Sequence, residues 1–406
     1  MAKIAIISDL HIGVAARSPD LNPHPVTPAV PSDGFLDSFE RLADSAGIHA
    51  DILFVPGDIS DKAHPLEYVR ATQVIQRVAA ALGVPDDSIF PVLGNHDLNW
   101  ALIDAVEGAP ELGHALRFAP VQNSEWLRGH LTSGVGQSQL AIPFLSIDET
   151  SDFFIVRYNS AEADLPDVKP HRGAIQQNHL DALRVLLDAN PPPQDKVKVF
   201  LTHHHPKIYS DPIPDLPDFS ALVNAEALID LLRAMNFDLI VHGHKHAPKF
   251  SSSVEAGGGA LSILCAGSFS RSIESMWVGK ITNQFHLVDC GERDPHTGYL
   301  QGQVISWAYQ PRAWIPSDRK WAGIAHRIPF GAYPSETELA NKLRSAIILI
   351  AAERHVTWGD LVDVEPKIQF SDAGLIERIL RAIAEELAMI LVFRPDEPNN
   401  LAMVRP

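Results

Sequence analysis

Short uncharged runs of β-forming residues alternate, over the first three fifths of the chain, with longer stretches whose apolar residues recur every three to four positions. Such a run predicts a strand buried on both faces, as inside a parallel sheet, and the longer stretches predict amphipathic helices. Strands are expected at residues 4–7, 51–56, 88–93, 197–201 and 239–241. Between them, Asp33 can cap a helix through Phe35, Phe39 and Leu42, and a second helix carries Leu66, Val69, Ile75, Val78 and Leu82. A third aligns Leu180, Leu183 and Leu187, and Asn224 opens a fourth with Leu228, Leu231, Leu232 and Met235. Residues 14–31 are Pro-rich and aperiodic, a loop long enough for a lid beside the first strand. Residues 99–159 hold strand-like runs at 140–147 and 153–157 and a Gly/Ser-rich turn at 133–138.

Beyond His246 the pattern becomes strands separated by turns, at 249–253, 260–265, 284–290 and 303–309, which reads as antiparallel sheet. An aromatic- and Pro-rich connector spans 312–334. Ser335 with Glu338 then forms a capping-box signal ahead of Leu339, Leu343, Ile347 and Ile350. A short helix at 358–362 follows, then a helix opened by Ser371 and Asp372 and carrying Leu375, Ile379, Ile383 and Leu387. Two strand-like runs at 388–393 and 401–404 close the chain. Three helices and a hairpin form a winged-helix-like pattern, so residues 1–330 and 331–406 are expected to be separate domains.

Composition narrows the picture. At 46% hydrophobic and 20% charged the chain can bury a sizeable core, and a formal net charge of −17 argues against a broad nucleic-acid-binding surface. Cys265 and Cys290 are too few for a disulfide framework and read as reduced strand residues. The first strand begins about Lys3, which leaves no room for a signal peptide, and the longest uncharged apolar runs are far below a membrane span. The expected location is the cytoplasm. Residues 335–406 hold eight Lys/Arg against twelve Asp/Glu, a net of −4, and the would-be recognition helix carries Glu377, Glu385 and Glu386. A protein partner, a dimer contact or packing on the first domain therefore suits this segment better than DNA.

The chemistry sits at the strand ends. The first strand ends in Asp9-Leu10-His11, the second in Gly57-Asp58-Ile59-Ser60-Asp61, and the third in Gly94-Asn95-His96-Asp97. The later two end in His203-His204-His205-Pro206 and His242-Gly243-His244-Lys245-His246. Open α/β sheets place ligands at the carboxyl ends of their strands. Carboxylate, imidazole and amide oxygen suit divalent Zn, Mn, Fe, Ni or Co, and the absence of cysteine argues against a structural zinc site.

Taken together, Asp-x-His, Gly-Asp-x-x-Asp, Gly-Asn-His-Asp, a His before x-Pro and Gly-His-x-His closely resemble the motif set of the calcineurin-like metallophosphoesterases, over about residues 3–310. The resemblance implies a four-layer α/β-β/α sandwich, with parallel strands carrying the ligands and the strands after His246 forming much of the second sheet. It implies two divalent metal ions, one held by Asp9, His11, Asp58 and His246, the other by Asp58, Asn95, His204 and His244. Within the triple histidine, spacing to Pro206 selects His204 and spacing from Thr202 selects His203; both stay open, with His204 taken first. His96 would face the substrate beside the leaving group, and Asp61 and Asp97 would orient ligands. Asp61 stands where purple acid phosphatases carry a Tyr, so their coloured ferric site is not expected. The implied activity is phosphoester hydrolysis by a metal-bound hydroxide, nucleotide-type phosphodiesters favoured. The alternatives are a nuclease with a C-terminal adaptor, which the acidic balance disfavours, and a non-catalytic scaffold, which an intact ligand set disfavours.

Overall fold

Along the first strand, Ile4 and Ile6 point into one hydrophobic cluster while Ala5 and Ile7 point into another, so a charge-free run is needed to satisfy both faces. That two-sided burial organises the molecule, seen here in a computed structural model. It describes residues 2–23, 34–104, 116–133, 135–137, 143–164, 172–209, 220–254, 259–273, 281–310, 313–394 and 398–405.

Strands are numbered along the chain. In the first sheet, β1 (Ala2–Ile6), β2 (Ile52–Pro56) and β3 (Ile89–Val92) run parallel. On the other side of β1 lie β11 (Gln284–Arg293), β12 (Leu300–Gln310), β13 (Ala313–Pro316) and β14 (Arg327–Phe330), in the order β13-β12-β11-β1-β2-β3, with β14 also on β12. The second sheet has the order β4-β5-β6-β7-β8-β10-β9. Its members are β4 (Val135–Gln137), β5 (Leu145–Glu149), β6 (Phe153–Tyr158), β7 (Val197–Leu201), β8 (Leu239–His242), β9 (Lys249–Val254) and β10 (Ala260–Cys265). In it, β6, β7, β8 and β10 are parallel neighbours.

The sheets pack face to face through Ile4, Ile6, Phe54 and Phe90 on one and Ile155, Val199, Leu201 and Val241 on the other. Helices Phe35–Ser45 and Pro65–Leu82 cover the outer face of the first, and Gln177–Ala189 and Ala225–Ala234 that of the second. The result is the four-layer α/β-β/α sandwich. Among the described residues no helix is long and apolar enough to cross a membrane.

The ligand-bearing strands divide between the two sheets: β1, β2 and β3 lie in the first, β7 and β8 in the second. Three expectations need correction. The strands after His246 divide between the sheets, with β9 and β10 in the second and β11 to β14 in the first, and β10 runs parallel to β8. The aromatic connector contains β13 and β14; Trp314 of β13 packs on Phe35 and Phe39, and Tyr309 of β12 on Phe35. On helix Pro65–Leu82, Leu66 and Val69 are 50% and 58% exposed; Tyr68, Ala71, Val74 and Ile75 turn inward instead. The capping role of Asp33 and residues 24–31 of the expected lid fall outside the described residues, as does part of the 140–147 run.

The C-terminal segment shows the expected pattern. Ser335 caps helix Glu336–Ile350, Thr357 caps Trp358–Val364 in a capping box with Asp360, and Asp372 caps Ala373–Glu386. A sheet of order β15-β17-β16 joins them, from β15 (Val356–Thr357), β16 (Ile390–Val392) and β17 (Ala402–Val404). These elements enclose their own cluster around Leu343, Ile347, Leu361, Leu380 and Met403.

Candidate metal centre

The carboxyl ends of β1, β2 and β3 meet those of β7 and β8 at one rim, and the backbone there is unusual. Asp9 (φ 50°), His11 (46°), Asp58 (51°), His244 (73°) and His246 (54°) all adopt the left-handed conformation. For a residue with a Cβ this costs about 1–2 kcal/mol each, and such strain collects where the surrounding structure enforces it for function. Gly57 has positive φ as a sharp turn requires, but Gly94 does not; a Cβ on Gly94 would instead collide with the Asp58 carboxylate and its backbone nitrogen. That glycine is there for close approach rather than for turning.

Two clusters result, joined by one carboxylate. In the first, His246 Nε2 lies 3.2 Å from Asp9 Oδ1 and 3.2 Å from His11 Nε2, and His11 Nε2 lies 3.5 Å from Asp58 Oδ2. In the second, the other Asp58 oxygen, Oδ1, lies 3.4 Å from His203 Nε2. Asn95 Oδ1 sits 3.3 Å from His203 Nε2 and 3.1 Å from His244 Nδ1, and the two imidazole nitrogens are 3.2 Å apart. The seven side chains Asp9, His11, Asp58, Asn95, His203, His244 and His246 thus converge.

Within the triple histidine, His203 and His204 face different partners. His203 donates through Nδ1 to the Pro56 carbonyl (2.8 Å), which leaves Nε2 as an acceptor aimed at Asn95, His244 and Asp58. His204 stands near His203 and His244, but its Nδ1 lies 2.8 Å from Ser160 Oγ and its Nε2 3.4 Å from Asp164 Oδ2. His204 Nε2 has no hydrogen-bond partner among the described residues and groups with His203 and His244, so both rings stand within reach of a shared cation.

Electrostatics keep Asp9, Asp58, His11 and His244 in ligand form, whereas burial of His203 is outweighed by the Asp58 and Asp9 carboxylates, which raise its imidazole above the ordinary value. Burial opposes charge on Asp58, but the imidazoles of His203, His96 and His11 outweigh it and hold the carboxyl far below the usual range; His246 does the same for Asp9. Burial pushes His11 down to about 4 and His244 well below its ordinary value, so both are neutral at pH 7 and offer lone pairs. Pairs of imidazole nitrogens facing each other at 3.2 Å beside carboxylate and amide oxygens form a donor set that a divalent cation satisfies. The described residues that could hold a metal fall into the groups Asp9/His11/Asp58/His246, His203/His204/His244 and His11/Asp61/His96.

The family model of the calcineurin-like phosphoesterases matches residues 2–248. The chain belongs to that family. It is a metal-dependent phosphoesterase, a hydrolase whose family uses two divalent metal ions, and its Asp/His clusters could bind them. No curated protein matches this phosphoesterase by sequence. Among solved structures it is similar to a dimetal phosphatase from Danio rerio, at 11% identity over 77% of this chain and 98% of that one (TM-score 0.42). It is also similar to a purple acid phosphatase from yellow lupin (Lupinus luteus) seeds, at 11% identity over 76% and 51% (0.43), and to the Haemophilus influenzae NAD nucleotidase, at 12% over 97% and 61% (0.35).

Around the clusters the phosphoesterase carries supports that its motifs only partly announced. Asp97 is fully buried and accepts from the backbone N–H groups of Ile59 (3.1 Å), Ser60 (2.8 Å) and Gly94 (2.9 Å) and from Ser60 Oγ (3.0 Å), which locks the β2 and β3 turns together. The Asp61 carboxylate stands 3.9 Å from His11 Nδ1, and its carbonyl accepts from His96 Nδ1 at 2.8 Å. Sequence reasoning missed Ser8, whose hydroxyl donates to Asp9 Oδ2 (2.6 Å), and Arg271, whose Nη1 lies 2.7 Å from His246 Nδ1. It also missed Trp100, which donates to the Asn95 carbonyl (3.0 Å) and lines a cleft of about 440 Å³ with Lys62, Asn99 and His96. An indole three residues past Asn-His-Asp was the available signal for that cleft.

Proposed function

We propose that the phosphoesterase hydrolyses nucleotide-type phosphodiesters at a binuclear centre. In this reading Asp9, His11, Asp58 and His246 hold one ion, and Asp58, Asn95, His203 and His244 the other. The observation that carries it is Asp58, whose two oxygens face His11 and His203 on opposite sides at 3.5 and 3.4 Å. When bound, two divalent ions would lower the pKa of water and offset charge on the phosphoryl oxygens. The chain's own residues do the rest. Arg271 beside His246 adds positive charge at the rim, and the Trp100 ring offers a planar apolar wall to a base. His96 donates from Nδ1 to the Asp61 carbonyl, so in its imidazolium form the second proton, on Nε2, is the one it can give to the leaving oxygen.

The same reading divides the chain into a catalytic domain, residues 1–330, and a small C-terminal domain, residues 331–406, supported by the latter's own core. The contact of Lys367 with Asp294 (2.9 Å) supports packing on the first sheet as one of its roles, beside contact with a protein partner. Two buried free cysteines are in keeping with a cytoplasmic location.

The test is metal content and turnover of the metal-loaded protein on nitrophenyl phosphate, bis-nitrophenyl phosphate, cyclic nucleotides and nucleic acid. Two equivalents of metal and preference for nucleotide diesters are expected, both metals weakening in Asp58→Asn. Full occupancy and turnover in Asp58→Asn would refute the shared ligand, and preference for monoesters the substrate class.

A further inference from the structure

At the end of the sandwich opposite the metal rim, β7 opens with Val197-Lys198-Val199. The two valines enter the core between the sheets, and Lys198 faces the other way, beside Phe200. The turn between β11 and β12 folds over this end. Arg293 grips Asp238 with both terminal nitrogens, each at 2.7 Å, and donates to the Lys196 carbonyl at 2.7 Å. Under it lies a cavity of about 250 Å³, with Lys198 in its wall beside Gln194, Asn236, Thr297 and Tyr299.

Lys198 is 5% exposed, and its ammonium makes no hydrogen bond or ion pair among the described residues; its backbone N–H donates to the Asp238 carboxylate and its carbonyl accepts from the Asp238 N–H. The one acid described in the wall, Asp238, already spends both oxygens on Arg293. The stem of Lys198 is buried along the strand and delivers its ammonium to the cavity, where water rather than a protein acceptor meets it. The surrounding wall offers amides and hydroxyls, which adapt to an acceptor-rich guest, rather than a compensating carboxylate.

We propose that this cavity is a binding site for a small oxyanion, a phosphate or a carboxylate. Lys198 supplies the counter-charge, and Gln194, Asn236 and Tyr299 supply hydrogen bonds. The site is distinct from the metal centre: β7 separates Lys198 from His203 by five residues, roughly 17 Å of strand.

Equilibrium dialysis of the metal-loaded protein against labelled inorganic phosphate tests this by counting sites. Wild type should show two. Lys198→Met should weaken one of them by about tenfold or more, the worth of a charged hydrogen bond, and keep turnover on nitrophenyl phosphate. Asp58→Asn should keep the Lys198 site, and acetate competition in that variant separates the sources: displacement assigns the site to carboxylates as well, no displacement to phosphate. If Lys198→Met does not fold, Asn236→Asp, which adds a negative charge to the wall, should weaken the same site. Unchanged phosphate binding in the folded Lys198 variant, or in Asn236→Asp where that variant replaces it, would overturn the proposal. Failure of the metal reading would show instead as intact metal binding in Asp58→Asn.

Discussion

Asp97 touches no proposed metal ligand side chain, yet Asp97→Asn should cost both stability and metal affinity. Its Oδ2 accepts from Ile59 and Gly94, and its Oδ1 from the Ser60 N–H and hydroxyl. A carboxamide of the same shape must turn its NH2 toward one pair. The better choice faces Ser60, where the hydroxyl can rotate to accept but the backbone N–H is left opposite another donor. One orphaned buried N–H costs about 1–3 kcal/mol, and converting the two remaining charged bonds to neutral ones costs about 1 kcal/mol each. Part of this returns, because burial and the Asp58 charge push Asp97 up to about 6 and disfavour its charged form. The net loss should be about 2 kcal/mol at pH 8, read by urea denaturation of the metal-free protein. Because the same clamp fixes the turns bearing Asp58 and Asn95, metal affinity should fall about tenfold or more. Asp61→Asn is the control, since the Asp61 carboxylate accepts no backbone N–H from these turns. Asp97→Asn within about 0.5 kcal/mol of wild type and with unchanged metal affinity would refute the clamp.

His203→Ala should empty the second metal position by elemental analysis, whereas His204→Ala should retain both metals; the reverse result would restore the assignment made on spacing. His96→Ala should keep both metals and lose turnover by about 10² on poor leaving groups, and less on nitrophenolate; equal losses would exclude the acid role. Burial works against the Asp294 carboxylate, but Lys367 and donors from Thr297 and His296 prevail and hold it at about 2. The folded pKa lies below the unfolded value, so the stability it adds is complete above about pH 4 and is lost as pH falls toward 2. The melting-temperature gap between wild type and Asp294→Asn should close over that range, and a gap that survives at pH 2 would disprove the pairing. A chain ending at Pro334 should still turn over nitrophenyl phosphate; a soluble, metal-loaded but inactive product would show that residues 335–406 shape the active site.

The five strand ends were legible because a mostly apolar strand running into an acid or a histidine is a strong local signal, and both signals lie within a few residues. The choice of His203 for the proposed centre was not local. It rests on a carbonyl at Pro56, 147 residues away, that fixes the His203 ring. Which sheet a strand joins is also invisible to periodicity: β10 and β11 are both apolar, yet one lies beside β8 and the other beside β1. Leu66 and Val69 misled because apolar spacing on a helix does not reveal which stripe its neighbours cover, and Tyr68 and Val74 took the inner one. The left-handed backbone at Asp9, His11 and Asp58 had no sequence signal beyond the flanking glycine at position 57.

The split of the converging residues across the two sheets has a mechanical consequence. Asp9, His11, Asp58 and Asn95 hang from the first sheet, and His203, His244 and His246 from the second, so cations held among them would rivet the halves of the sandwich at one rim. Elsewhere the halves are joined largely by apolar side chains, which can slide. Ligand at a hundred times its dissociation constant adds about 2.7 kcal/mol to such a junction, so a chelator would unbutton the sandwich from this rim first. Amide exchange should then quicken at the carboxyl ends of β1, β2, β7 and β8 together, while the opposite end, stapled by Arg293 and Asp238, stays closed.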